Sequence, residues 1–299
     1  MPLTPETVAM MAEITAAGGK RFHQMTVPEA REAVTGFLDW AGPAPAMASE
    51  DTLLEVAGGW MLIRVLTPAP SRGVIVYLHG GGWVFGTVDG HDAVARQLAA
   101  ATGCTVVVPE YRLAPEHPFP VPVDDCWQAL VWTAARFARP LILCGDSAGA
   151  NLAAVLALRA RDASGPAIAA QLLVYPVTDC DLERTSFNEP DNQLILAKED
   201  MAWFWHYYIA EAAARSHPDA SPLRCPDLGR LPPACVITAE YDVLRDEGEA
   251  YAAALAVAGT PAELRRFNGE THGFLVLGGK TTGAAAAMAH LSAFLDRRL

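Results

Sequence analysis

The stretch that decides the fold is Pro140-Leu-Ile-Leu-Cys-Gly-Asp-Ser-Ala-Gly-Ala-Asn-Leu-Ala-Ala-Val-Leu-Ala-Leu158. It begins with a short apolar run, Leu141 to Cys144, which has the length of a strand buried on both faces. After the glycine-flanked segment that contains Ser147, the chain continues as an Ala- and Leu-rich run with high helix propensity. The sequence therefore predicts a buried strand, a tight turn that carries Ser147, and a helix.

A serine on such a turn, with glycine two residues before and two residues after it, is typical of the nucleophile elbow of serine hydrolases. The turn forces the serine into a strained backbone conformation, and side chains at Gly145 and Gly149 would clash with the adjacent strand and helix. The N-terminus of the following helix favours developing negative charge. Because Gly-x-Ser-x-Gly also occurs by chance, a base, an acid and an oxyanion hole must come from elsewhere in the chain.

Strand-like and helix-like segments alternate along most of the remaining sequence. Residues 52–66 predict an antiparallel hairpin around Gly58-Gly59. Further strands are predicted at 73–79, 104–109, 141–144, 171–175, 234–239 and 262–267, with helices between most of them. This alternation predicts the α/β class, with a mostly parallel central sheet of about eight strands and helices on both faces.

Two segments interrupt the alternation and are predicted to form a helical cap. Residues 4–40 read as helices broken at Gly18-Gly19, the second of which starts at Thr26 and leads to Trp40, and residues 41–50 read as a linker rich in Pro and Ala. An insertion at about 185–215 contains an aromatic-rich helix, which we expect over 198–214. The cap is then residues 1–45 together with the insertion, and residues 46–299 form the catalytic domain that the insertion interrupts.

The composition of the chain limits which partners and which cellular compartment we expect. The net charge of −12 over 299 residues argues against nucleic acid or an anionic membrane surface as a partner. The six cysteines are scattered, without a CxxC pair or a Cys/His cluster at zinc spacing, so we expect reduced thiols and no metal site. The N-terminus lacks a basic segment leading into an apolar one, and no apolar run is long enough to cross a bilayer. We therefore expect a soluble cytoplasmic protein without a signal peptide.

His272 is the candidate base and Asp242 the candidate acid. A serine hydroxyl needs a base to remove its proton, and that base needs a carboxylate to orient it. Of the four histidines that follow Ser147 in the chain, His272 is the one that comes just after a late predicted strand. Asp242 follows the strand predicted at 234–239. Glu240 stays an alternative to Asp242, because a two-residue shift in the end of that strand would exchange them.

The glycine turn His79-Gly-Gly-Gly-Trp83 is the candidate oxyanion hole. It follows a strong predicted strand, and its three glycines let the main chain approach a substrate without intervening side chains. An oxyanion hole requires backbone N–H groups aimed at the developing charge. We assign the N–H groups of Gly81 and Gly82, together with that of Ala148 after the serine, and give His79 and Gly80 a supporting role.

Together these motifs resemble the hormone-sensitive-lipase-like branch of the α/β hydrolases, the bacterial family IV carboxylesterases. Four segments match in order: His79-Gly-Gly-Gly-Trp83, Glu110-Tyr-Arg-Leu-Ala-Pro-Glu-His-Pro118, Gly145-Asp-Ser-Ala-Gly149, and Asp242-Val-Leu-Arg-Asp-Glu-Gly248 with His272-Gly-Phe274. Ala150, Val243 and Glu110 stand where the family more often has Gly, Pro and Asp, and none of these departures removes a catalytic atom.

The resemblance implies the α/β-hydrolase fold, with Ser147 as nucleophile, His272 as general base and acid, and Asp242 as its orienting carboxylate. It implies hydrolysis of short- to medium-chain carboxylic esters through an acyl-enzyme intermediate, with a small-molecule ester as partner and no metal or organic cofactor. It is compatible with a homodimer, although no residue in the sequence indicates one. Trp83, Phe85, Trp203 and Trp205 are the residues that we expect to line an apolar pocket under the cap.

Two alternative functions use the same fold. The triad would serve an amide or aryl-formamide hydrolase equally well, and nothing in the sequence separates amides from esters. A non-catalytic small-molecule receptor would keep the glycine turn and the serine but lose the histidine, so the presence of His272 disfavours it.

Overall fold

The computed structural model describes residues 1–299, apart from the side chain of Leu38. The strands of the described chain are β1 (Ala48–Val56), β2 (Gly59–Thr67), β3 (Val74–Leu78), β4 (Thr105–Pro109), β5 (Leu141–Asp146), β6 (Ala170–Val174), β7 (Ala234–Tyr241) and β8 (Ala262–Thr271). The helices are α1 (Pro5–Ala17), α2 (Val27–Thr35), α3 (Val88–Thr102), α4 (Val121–Arg136), α5 (Ala148–Asp162), α6 (Thr185–Asn188), α7 (Lys198–Tyr208), α8 (Arg245–Val257) and α9 (Gly283–Asp296).

These strands form one sheet in the order β1-β2-β4-β3-β5-β6-β7-β8. The hairpin pair β1–β2 and the pair β2–β4 are antiparallel, and the remaining neighbours are parallel. The prediction of an α/β protein with a mostly parallel sheet of about eight strands is therefore confirmed. Because β3 to β8 run in the same direction, the loops at their carboxyl ends meet at one edge of the sheet, where α/β proteins place their ligands.

The apolar central strands are covered on both faces. Every residue of β3, β4, β5 and β6 is buried, as expected for short apolar runs in a parallel sheet. One core cluster packs α4, α5 and α8 against the first face, and a second cluster packs α3 and α9 against the other. The helices packed on both faces hold the sheet in place, and with it the loops at the carboxyl ends of its strands.

Two predicted helices end earlier than the sequence indicated. The helix predicted over 198–214 stops at Tyr208, because Ile209 is extended (φ −140°, ψ 99°) and the Tyr208 carbonyl accepts instead from the Phe119 backbone N–H at 3.0 Å. A separate 3-10 turn, Ala212–Ser216, follows it. The second N-terminal helix likewise ends at Thr35 rather than Trp40.

The N-terminal segment contacts two different parts of the protein. Helix α1 lies beside the end of β8, where the Thr7 hydroxyl donates to Glu270 at 3.2 Å. The 3-10 turn Phe22–Gln24 packs instead on α7, and His23 donates to the buried Asp200 from its backbone N–H (3.0 Å) and its ring Nδ1 (2.7 Å). The division into a cap and a catalytic domain at residue 45 stays a prediction.

No helix in the described residues is both long enough and apolar enough to cross a membrane.

Candidate active site

Ser147 lies on a sharp turn between β5 and α5. Its backbone is in a strained region (φ 54°, ψ −121°), and its N–H donates to the Val174 carbonyl of β6 at 2.9 Å. A Cβ added to Gly149 would lie 1.9 Å from the Leu78 carbonyl oxygen, and one added to Gly145 would lie 2.3 Å from the Gly149 carbonyl carbon. Both glycines are therefore required by close backbone approach, which is the reason that the sequence pattern suggested.

His272 and Asp242 come to Ser147 from the loops after β8 and β7. His272 Nε2 is 3.0 Å from Ser147 Oγ, and His272 Nδ1 is 2.8 Å from Asp242 Oδ2. Glu240, the alternative acid, lies inside β7 because that strand runs on to Tyr241, and its carboxylate accepts from the Gly269 backbone N–H at 2.7 Å. The structure thus brings together the three residues that the sequence selected and directs Glu240 elsewhere.

The surroundings of Asp242 fix the tautomer of His272. Asp242 is 1% exposed, and its second oxygen accepts from the Leu244 backbone N–H at 2.9 Å. A carboxylate can only accept, so the proton of the neutral imidazole lies on Nδ1 and the lone pair of Nε2 faces the serine hydroxyl. The Tyr175 ring packs against the imidazole with ring centroids 4.7 Å apart and limits its movement.

Backbone N–H groups beside Ser147 are available for an oxyanion. In the described residues the N–H groups of Gly81 and Gly82 make no hydrogen bond, whereas the Gly81 carbonyl accepts from Val84 and Phe85 at 3.0 Å. Ala148 is the first residue of α5, where a backbone N–H has no partner within the helix. Gly81 and Gly82 line the same cavity as Ser147, Ala148 follows Ser147 directly, and the dipole of α5 adds partial positive charge there.

Asp146 and Tyr77 hold the glycine turn in place, and the sequence reasoning missed both. Asp146 Oδ1 accepts from the Gly80 backbone N–H at 3.0 Å and from the Tyr77 hydroxyl at 2.7 Å, and the Asp146 side chain is buried. The signal in the sequence was a single acidic residue at the end of an apolar strand. A buried carboxylate in that position needs donors, and the glycine turn supplies one of them.

The segment after β4 supports the same turn from the other side. The Tyr111 hydroxyl donates to the His79 carbonyl at 2.7 Å, and the Ala114 backbone N–H donates to the Trp83 carbonyl at 2.9 Å. These two bonds fix both ends of the His79–Trp83 turn. A turn tied at its ends can present N–H groups in one fixed geometry.

His79 has a structural position beneath the turn. It is buried between the rings of His91 and Tyr111, and its Nδ1 donates to the Gly80 carbonyl at 2.8 Å. Burial lowers the pKa of His79 to about 3, so the imidazole is neutral at physiological pH. A neutral ring at this place puts no cation behind the glycine turn.

A cavity of about 970 Å³ opens above Ser147 and His272. Of the four aromatic residues expected in its wall, Phe85 lines it. Trp83 and Trp205 instead lie in the core, where Trp83 stacks on Tyr208 with ring centroids 4.1 Å apart. Trp203 packs on Phe204 and Tyr207 rather than facing the cavity.

Other apolar residues, which the sequence did not indicate, form part of the cavity wall. They come from both parts of the predicted cap and from the loop after His272, and they are Phe22, Leu196, Met201, Phe204, Val276 and Leu277. Phe22 could not be found from the sequence, because its approach to Phe85 (5.1 Å) and Phe204 (5.8 Å) depends on folding over many residues.

The fold and the site together define a class, that of the serine hydrolases. A serine on a strand-to-helix turn, a histidine and a carboxylate follow each other in hydrogen-bonding order at the carboxyl edge of a parallel sheet. A family model described as the alpha/beta hydrolase fold matches residues 75–276.

Named relatives place the chain within that class. It is 40% identical over 249 residues to carboxylesterase NlhH of Mycobacterium tuberculosis, which covers 79% of this chain and 78% of the relative. It is 35% identical to an arylesterase of Saccharolobus solfataricus, and the match covers 92% of this chain and 93% of the relative. A hyperthermophilic esterase from Pyrobaculum calidifontis has a similar solved structure, with a TM-score of 0.91, 37% identity, and coverage of 98% and 97%. The chain belongs to the hormone-sensitive-lipase-like branch of the α/β-hydrolase family and is a carboxylic-ester hydrolase.

Proposed function

We propose that Ser147, His272 and Asp242 are the catalytic triad of this esterase and hydrolyse short- to medium-chain carboxylic esters through an acyl-enzyme intermediate. The observation that carries the proposal is the pair of hydrogen bonds, 2.8 Å and 3.0 Å, that leads from Asp242 through His272 to the serine oxygen. These bonds lead to an apolar cavity beside unpaired backbone N–H groups, so the site combines a nucleophile, a base and oxyanion donors, as acyl transfer requires.

The first step acylates the serine. Ser147 Oγ attacks the ester carbonyl carbon while His272 Nε2 takes the hydroxyl proton, and the carbonyl oxygen becomes an oxyanion. Asp242 stabilises the imidazolium that forms, because its carboxylate accepts from the Nδ1–H throughout. The N–H groups of Gly81, Gly82 and Ala148 donate to the oxyanion, and a donor of this kind contributes about 10²- to 10³-fold to kcat.

The second half of the reaction releases the two products. His272 gives its proton from Nε2 to the leaving alcohol oxygen as the carbon–oxygen bond breaks, which leaves the acyl group on Ser147. A water molecule then attacks the acyl carbon, and His272 takes its proton. Collapse of the second tetrahedral intermediate releases the carboxylic acid and returns the proton to Ser147 Oγ.

The test replaces Ser147 by Ala and compares it with a matched control, Ser49→Ala, at an exposed serine of β1. We expect Ser147→Ala to lower kcat for p-nitrophenyl acetate on the order of 10⁶-fold and to lose labelling by a fluorophosphonate probe. Ser49→Ala should keep both. Circular dichroism checks that both variants fold. Labelling or turnover that survives in a folded Ser147→Ala protein would contradict the proposal.

The compartment and the assembly are also proposals. The six cysteines form no disulfide in the described residues, and four of them are buried, which supports a reducing compartment and a cytoplasmic location. Cell fractionation with an antibody against the protein tests that location. A homodimer rests on the family resemblance alone, and light scattering of the purified protein measures it.

A further inference from the structure

The catalytic cavity extends well beyond the triad. Its volume of about 970 Å³ lies at the upper end of the range, about 300–1,000 Å³, that encloses drug-sized ligands. Its wall includes Ser147 and His272 at one place and Leu53, Trp60 and Leu62 of the β1–β2 hairpin at another. An acetate ester fills only part of this space, so most of the cavity is unnecessary for hydrolysis of the shortest esters.

The hairpin contributes an exposed apolar surface to this cavity. In the antiparallel pairing Leu53 lies opposite Leu62, and Trp60 lies opposite Glu55, so Leu53, Trp60 and Leu62 share one face of the sheet. Leu53 and Trp60 are each 63% exposed, whereas Met61 on the opposite face is buried in the core. We call the part of the cavity lined by Leu53, Trp60 and Leu62 the outer arm.

The two guanidinium groups that line the cavity, those of Arg31 and Arg112, are already paired. The Arg112 guanidinium donates to both oxygens of Asp125, at 2.6 Å and 2.8 Å, and to the Ala57 carbonyl in the hairpin turn at 2.9 Å. Arg31 is paired with Glu116 through two bonds of 2.7 Å and 2.8 Å. Paired guanidinium groups offer little attraction to an anionic ligand, whereas an exposed indole and two leucines gain from being covered. The outer arm is therefore suited to a neutral apolar group.

We propose that the outer arm is a substrate subsite that holds the distal alkyl or aryl end of an ester whose carbonyl lies at Ser147. The inference rests on the proposed function, because only a substrate held at the triad would reach the hairpin through this cavity. Trp60 and Leu53 then determine specificity for long or bulky esters and leave unaffected an ester such as ethyl acetate, in which both halves are short. The apolar group belongs to either the acyl or the alcohol half, and the experiment separates the two.

The test measures kcat/KM for two ester series with the double variant Leu53→Ser/Trp60→Ser. One series lengthens the acyl chain of p-nitrophenyl esters from acetate to decanoate, and the other enlarges the alcohol of acetate esters from ethyl to naphthyl and decyl. The matched control is Leu264→Ser, an exposed leucine on the edge strand β8 away from the cavity. Light scattering of all variants shows whether the same patch joins two copies of the chain.

We expect the double variant to stay within twofold of the unmutated protein on ethyl acetate, in which both halves are short. In one series kcat/KM should fall by about fourfold for each methylene that the arm covers, mainly through KM. A loss that grows with the length of the acyl chain assigns the arm to the acyl group, and a loss that grows with the size of the alcohol assigns it to the alcohol. The control should match the unmutated protein in both.

Three results would overturn the inference. One is an unchanged profile in both series, and another is an equal loss on ethyl acetate and on the longest esters of both series. The third is a change in oligomeric state with no change in the ester profile, which would make the patch a contact between copies. Failure of the proposed function is distinguishable from all of these, because the unmutated protein would then hydrolyse no ester and Ser147 would resist fluorophosphonate.

Discussion

Replacing Gly82 by Ala tests whether the glycine turn acts as an oxyanion hole of fixed geometry. A Cβ at Gly82 would lie 2.1 Å from Phe204 Cδ1 and 2.4 Å from Phe204 Cε1. Phe204 is buried on α7 against Phe22 and Phe85, so its ring cannot simply rotate away. Either α7 or the turn must shift by roughly 1 Å to restore ordinary contact.

The size of the effect follows from that displacement. A misplacement of about 1 Å at a catalytic group costs about 10²-fold, and loss of one oxyanion donor costs about 10²- to 10³-fold in kcat. Gly82 also has a left-handed φ of 58°, which adds about 1–2 kcal/mol of strain for alanine. We therefore expect kcat to fall about 10²- to 10³-fold, with the protein destabilised by a few kcal/mol but still folded at 25 °C.

The assay is p-nitrophenyl acetate hydrolysis at 25 °C, with enzyme concentration fixed by fluorophosphonate titration and folding checked by urea unfolding. Gly59→Ala is the control, because its added Cβ meets no atom within 4 Å and should leave kcat within twofold. In a Phe204→Ala background the clash disappears, so Gly82→Ala should then cost tenfold or less. A Gly82→Ala protein that keeps more than a third of kcat, or that loses the same factor of kcat in both backgrounds, would show that the glycine turn does not act through a fixed geometry.

Three further predictions concern the buried carboxyl groups. Asp242→Asn should lower kcat for p-nitrophenyl acetate about 10⁴-fold at unchanged melting temperature, because the amide favours the wrong tautomer of the histidine; a loss below 100-fold would count against the triad. Asp200→Ala leaves the ring and backbone donors of His23 unpaired between the N-terminal segment and α7, so urea unfolding should show a loss of about 1–3 kcal/mol. An unchanged urea midpoint would show that this contact does not hold the segment. Burial raises the pKa of Glu247 well above 4.5, so the folded state keeps a proton that the unfolded state has lost, and stability falls as pH rises above 4.5. In Glu247→Gln the free energy of unfolding, measured with urea, should fall less steeply between pH 4.5 and 8 than in the unmutated protein. The control Glu199→Gln, at an exposed residue, should keep the original dependence on pH. The same dependence in both variants would exclude Glu247 as the cause.

The sequence by itself determined the order of elements and the residues that carry local backbone constraints. Ser147 could be selected because Gly145 and Gly149 are needed where the backbones of a strand, a turn and a helix leave no room for a Cβ atom. His272 could be selected because it follows a strand in an alternating pattern, and such loops meet at one edge of a parallel sheet. These signals are local and survive without knowledge of packing.

Tertiary structure decided everything that depends on which side chains meet. Because β7 ends at Tyr241, the Asp242 carboxylate accepts from His272, whereas that of Glu240 accepts from the Gly269 backbone N–H. The two acids are two residues apart, and apolar periodicity does not locate the end of a strand that closely. Whether an aromatic residue lines the cavity or fills the core was equally invisible: Trp83 is buried on Tyr208, whereas Trp60, in a strand with no catalytic motif, faces the cavity. Aromatic side chains gain from burial in either place, and only the path of the folded chain determines which place each one occupies.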